Sequence, residues 1–105
     1  MIGCGHRSDP GQIRRKQYAI YRHAITESFK DGLSVSDLLY VVLYGEIIEE
    51  YPDRQRCLIY AMCPNSIPVH VVVDYSWQDE IQIVTAYIPD DREWISFRVR
   101  RKRRR

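Results

Sequence analysis

At 105 residues, with 45% hydrophobic and 29% charged side chains, the chain fits one compact domain and has the composition of a globular protein rather than a disordered one. Its apolar runs, among them Leu38–Tyr44 and Val71–Val73, fall far short of the ~20 residues of a membrane-spanning helix, so no membrane association is expected. The formal net charge of +2 conceals a division: residues 98–105 (RVRRKRRR) hold seven of the sixteen basic side chains, leaving nine against fourteen acids, or about −5 for residues 1–97.

The opening segment MIGCGHRSDPG lacks an apolar h-region, so no secretory leader is expected and a cytoplasmic location is the default. Cys4, Cys57 and Cys63 contain no C-x-x-C pair, and the histidines at 6, 23 and 70 are scattered. That spacing gives no support to a zinc site, and neither a metal nor a cofactor is expected. Asp9-Pro10 reads as an N-cap followed by a first-turn proline, and apolar residues from Ile13 through Tyr18, Ile20, Tyr21, Ala24 and Ile25 to Phe29 recur at helical spacing. With Asp31-Gly32 as the stop, this predicts a helix over 10–30. Ser34 and Asp37 resemble a capping box ahead of a nearly all-apolar stretch, predicting a buried helix over 35–44 that Gly45 closes as a residue able to adopt positive φ.

After Gly45 the apolar period falls to two. Ile47–Tyr51 and Arg56–Met62 flank the turn signal Pro52-Asp53 and read as a hairpin. Strands over 69–75 and 81–88 follow, and short loops require antiparallel pairing among such neighbours. After Pro89-Asp90-Asp91, alternation of Ile95, Phe97 and Val99 with Ser96, Arg98 and Arg100 predicts a fifth strand over 94–100, its apolar face on the core. The expected fold is α+β: two N-terminal helices packed on a four- to five-stranded antiparallel sheet. One domain is expected over 1–105, ordered from about 9 to 100, with a basic tail over 101–105.

No Gly-rich phosphate loop, G-x-S-x-G elbow or H-E-x-x-H occurs, which argues against the common nucleotide-binding and hydrolase classes. His70 shares a strand face with Val72 and Asp74, and an imidazole there can act as general acid or base. His23, on the first helix, is a second candidate. Strict alternation puts Tyr87 with Ile81, Ile83 and Thr85, on the side away from His70. Glu46, Glu49 and Glu50 suit either acid–base chemistry or a charged sheet edge. Arg54, Arg56, Arg98, Arg100 and Lys102 form a candidate RNA-binding set, since guanidinium groups clamp phosphates and rings such as Tyr87 or Trp94 can stack on bases.

His23-Ala24, Asp31–Ser34, Gly45–Pro52 (GEIIEEYP), His70–Val72, Val84–Asp90 and Trp94 together resemble domain-of-unknown-function family 4258 over about residues 15–97. That resemblance implies a RelE/ParE-like toxin fold with MqsR-like relatives and a cognate antitoxin, of the zinc-finger MqsA type, as partner. It further implies a type II toxin–antitoxin toxin that acts as a metal-independent endoribonuclease on messenger RNA, free or on the ribosome, with His23, His70, Tyr87 and Trp94 at matching positions. Glu27 and Asp31 stand where the family often has arginines. The alternative is a non-catalytic module of the same fold that binds protein or nucleic acid.

Overall fold

The computed structural model describes residues 17–77 and 79–101. They form β1 (Gln17–Ile20), α1 (Arg22–Lys30), α2 (Val35–Tyr44), β2 (Glu46–Tyr51), a 3-10 turn (Pro52–Arg54), β3 (Arg56–Met62), β4 (Pro68–Asp74), β5 (Glu80–Tyr87), β6 (Trp94–Ile95) and β7 (Val99–Arg100). The main sheet has the order β1-β5-β4-β3-β2, and β6 with β7 makes a separate ribbon. No helix among the described residues is long and apolar enough to cross a membrane.

This is a sheet-rich α+β fold with two helices on a mixed sheet, which corrects the expected purely antiparallel sheet and the extent of the first helix. Residues 17–20, assigned to the first helix from their spacing, are a strand paired parallel to β5, with Tyr18 opposite Ile81 and Ile20 opposite Ile83. Short-range periodicity is ambiguous over four residues. Here the edge of β5 supplies backbone partners that a helix would not use, and the long connection through α1 to β4 permits parallel pairing. The expected helix residues 10–16 lie outside the described residues.

The helix ends follow local chemistry closely. Gly32, at φ 80°, closes α1: its N–H bonds the Phe29 carbonyl, and the Leu33 N–H reaches back to Ser28 at 2.9 Å. This is a Schellman arrangement, with Leu33 buried beneath it. At the start of α2 the Ser34 hydroxyl accepts from the Asp37 N–H while the Asp37 carboxylate accepts from the Ser34 N–H, completing the capping box. Gly45 serves a different purpose from the one expected. Its φ is −81°, and a Cβ there would meet Ile59 Cγ2 and the Val41 carbonyl oxygen at 2.6 Å, so glycine is required by close packing of α2 on β3.

Both helices cover one face of the sheet. Ala24, Leu33, Leu38, Val41 and Val42 pack with Cys57, Ile59 and Ala61 of β3, the β4 valines 69, 71 and 73, and Ile81, Ile83 and Ala86 of β5 in one continuous core. The expected fifth strand is instead split into β6 and β7, joined by a three-residue turn (Ser96, Phe97 and Arg98) that pairs Trp94 with Arg100 and Ile95 with Val99. Ile95 and Val99 are exposed, so this segment contributes to the opposite face through Trp94 rather than to the helix-covered core.

Candidate functional site

The sheet face opposite the helices is built in rows. Glu46, Tyr60, His70 and Tyr87 lie opposite one another across β2, β3, β4 and β5; Glu49, Leu58, Val72 and Thr85 form the next row. Tyr51, Arg56, Asp74 and Gln82 form the third. Two bulges create this arrangement. Between Glu46 and Glu49 the register with β3 skips Ile48, so two glutamates three residues apart reach the same face. Between Ile83 and Thr85 the register with β4 skips Val84, which turns Thr85 and Tyr87 away from the core side occupied by Ile81 and Ile83. The strict alternation expected for Tyr87 is thereby corrected: it lies on the side of His70, not away from it.

His70 is 0% exposed. Its Nε2 lies 2.7 Å from the Phe97 carbonyl oxygen, and its Nδ1 3.3 Å from the Tyr87 hydroxyl. A carbonyl only accepts, so Nε2 carries the proton, and in the neutral ring Nδ1 accepts from Tyr87. Burial pushes the His70 pKa below its ordinary value, outweighing the Phe97 carbonyl and the Glu49 charge, which favour the cation. Burial likewise pushes the Tyr87 hydroxyl up. Trp94, 1% exposed, stands edge-on to the imidazole with ring centroids 4.5 Å apart. The two sequence-derived proton-transfer candidates therefore meet, but beneath the β6–β7 ribbon.

The ribbon turns at Ser96 and Phe97, both at positive φ (52° and 62°), with the Arg98 N–H on the Ile95 carbonyl at 3.0 Å. Such turns suit Asn-Gly; a side chain in the left-handed region costs roughly 1–2 kcal/mol per residue. The ribbon carries two arginines back to β2. Arg98 pairs with Glu46 and its guanidinium lies 4.8 Å from the Tyr60 ring centre. Arg100 pairs with Glu49 at 2.9 Å, with its guanidinium over the Trp94 ring at 4.5 Å.

Next to this pair lies a cleft of about 370 Å³ lined by Tyr51, Pro52, Asp53, Arg54, Arg56 and Val72. The Tyr51 hydroxyl donates to Glu49. Burial pushes the Glu49 carboxyl up, but the hydrogen bonds from Arg100 and Tyr51, together with the Arg100 charge, outweigh it and hold the group below the ordinary carboxylate value. Burial, reinforced by the Glu49 carboxylate, pushes Tyr51 up to about 12, so its proton is retained at neutral pH. At the far side of the cleft Arg56 pairs with Asp74 at 3.1 Å, and the Ser76 hydroxyl and N–H also donate to that carboxylate.

Of the expected RNA-binding set, Arg54, Arg56, Arg98 and Arg100 are on or beside this face, but three of them are matched by Asp74, Glu46 and Glu49. Arg54, exposed at the cleft rim, has no ion pair among the described residues. Lys102 lies outside the described residues. His23 is exposed on α1, the element that packs through Ala24 into the core on the other side, and does not join the cluster. Asp31, noted as a departure from the family pattern, accepts the Ile88 N–H at 3.1 Å and so closes the end of β5. From the sequence Glu49 suits acid–base chemistry or a charged sheet edge equally with Glu46 and Glu50, and Tyr51 reads only as a strand residue. The E-x-x-E on β2 and the R-x-R over residues 98–100 were the available signal, but pairing them requires the bulge at Ile48 and a ribbon that folds back.

No curated protein and no solved structure matches the chain. A family profile described as Domain of unknown function (DUF4258) matches residues 20–88, from the end of β1 to just past β5, leaving the β6–β7 ribbon beyond the matched span. That match covers more than half of the chain, which therefore belongs to this family.

Proposed function

We propose that the chain is a metal-independent endoribonuclease, acting on single-stranded messenger RNA as the toxin of a type II toxin–antitoxin pair. The observation that carries the catalytic part is the Glu49–Arg100–Tyr51 cluster, whose Tyr51 lines an open cleft. Cleavage in which the 2′-hydroxyl attacks its own phosphate needs a base, an acid and positive charge for the phosphorane. The ionised Glu49 carboxylate takes the 2′ proton. Arg100, more than half exposed while paired to Glu49, presents its guanidinium to the phosphoryl oxygens. Tyr51 gives its proton to the departing 5′-oxygen and recovers one from Glu49 along their hydrogen bond, so a 2′,3′-cyclic phosphate and a 5′-hydroxyl leave with no net proton change. Arg54 and Arg56 at the cleft supply charge for the flanking backbone.

His70 is sealed from solvent and Tyr87, partly exposed, is engaged with it, which moves the proposed chemistry along the sheet to Glu49 and Tyr51. The toxin role and the antitoxin partner rest on the RelE/ParE-like assignment implied by the family resemblance. The test uses purified protein and single-stranded RNA in a chelating buffer, with and without ribosomes. Wild type should yield cyclic-phosphate ends and Glu49→Gln should be slower by ~10²–10⁴, the usual contribution of a general base. RNA binding without cleavage by wild type in either condition favours the alternative of a non-catalytic binding module.

A further inference from the structure

The ribonuclease reading leaves His70 without a task, although the molecule invests heavily in it. It is the largest polar side chain sealed from solvent among the described residues, and each ring nitrogen has its own partner. One of these partners, Tyr87, is fixed on the sheet. The other is the backbone carbonyl of Phe97, at the second positive-φ position of the ribbon turn. The imidazole edge also meets Trp94, and the opposite end of the same ribbon brings Arg100 over Trp94 and onto Glu49. Sheet, strained turn, tryptophan and arginine are thus joined through one ring.

We infer that His70 is a positioning residue, a buried clamp that holds the β6–β7 ribbon in its strained turn and so delivers Arg100 to Glu49. The catalytic consequence rests on the ribonuclease reading; the clamp itself does not. An Nε2–H aimed at a carbonyl at 2.7 Å fixes the position of Phe97, and Tyr87 fixes the ring that donates it. Without that donor, the Phe97 carbonyl loses its buried partner, and the Ser96-Phe97 turn is left with its own Ile95–Arg98 hydrogen bond, the Tyr60–Phe97 ring contact, the Trp94–Arg100 stack and the exposed Arg98–Glu46 pair to oppose its preference for other conformations. Arg100 then loses its fixed approach, since its pair with Glu49 is exposed and weak on its own.

The experiment starts from Trp77→Phe, which leaves Trp94 as the sole tryptophan. Three variants are compared in this background: His70→Gln, which keeps a side-chain N–H for Phe97; His70→Leu; and His70→Leu combined with Ser96→Asn and Phe97→Gly, a turn pair at ease with positive φ. Circular dichroism verifies folding, acrylamide quenching reads the shielding of Trp94, and single-turnover cleavage reads the chemistry. His70→Leu should unshield Trp94 and slow cleavage roughly 10- to 100-fold, the factor corresponding to loss of a buried hydrogen bond that fixes the arginine. His70→Gln should retain most of both properties. The relaxed turn should restore both despite the missing histidine, which no proton-transfer role allows. Trp94 remaining shielded in His70→Leu overturns the clamp, and so does a relaxed turn that restores shielding but not cleavage. If wild type fails to cleave RNA, the ribonuclease reading falls while the quenching comparison still decides the clamp.

Discussion

Trp94→Ala isolates how much stability the ribbon contributes. The indole is 1% exposed and occupies the space between His70 and the Arg100 guanidinium, so its removal empties the interface between ribbon and sheet. Truncating a buried Phe or Trp to alanine costs ~3–5 kcal/mol. A two-stranded ribbon can settle or lift more easily than a core can, which argues for the lower end, about 3 kcal/mol. Domains of this size have ~5–15 kcal/mol of total stability, so the variant should remain folded at room temperature. At about 4–8 °C per kcal/mol, its midpoint should drop by roughly 12–24 °C. The assay is urea and thermal unfolding followed by far-ultraviolet circular dichroism, which does not depend on tryptophan. Emission offers a second check: Trp77 is 57% exposed, so the blue-shifted component of the wild-type spectrum should disappear with Trp94. A loss below about 1 kcal/mol, within the range of surface substitutions, would refute the view that the ribbon is anchored by this side chain.

Two other expectations use the same unfolding measurements. Gly45→Ala should cost about 1–3 kcal/mol because its Cβ meets backbone oxygens of Val41 and Tyr60 within 2.7 Å, whereas Gly32→Ala has open space and should show only the left-handed penalty of roughly 1–2 kcal/mol; Gly45→Ala with no measurable cost would contradict the packing account. For pH, burial holds the folded pKa of His70 below the ordinary 6.5, so the unfolded chain binds more protons there. That contribution to stability is full above about pH 6.5 and is lost as pH falls through the folded pKa, while Glu49 and Asp74, also lowered, act with the same sign further into acid. His70→Gln should flatten the stability profile just below pH 6.5; an unchanged slope there would show that another group titrates.

What the sequence determined by itself was local. The Ser34–Asp37 capping box, the Asp31-Gly32 stop, the hairpin around Pro52-Asp53 and the alternation of β3 and β4 are written in neighbouring residues, because caps, turns and faces depend on contacts a few positions apart. Even His70 was legible as a polar residue on the strand face it shares with Val72 and Asp74. The tertiary structure decided what depends on distant partners. Residues 17–20 became a strand because β5 offered them a parallel edge, and 94–100 became a ribbon rather than a sheet strand because Trp94 found His70. Bulges at Ile48 and Val84 put Glu49 and Tyr87 on faces that strict alternation denies them, and a bulge exists only in the register between two strands. The candidate site joins β2 to β7 through Glu49 and Arg100, residues fifty-one positions apart. No periodicity within either segment encodes that meeting, because it is fixed by the fold that brings them together.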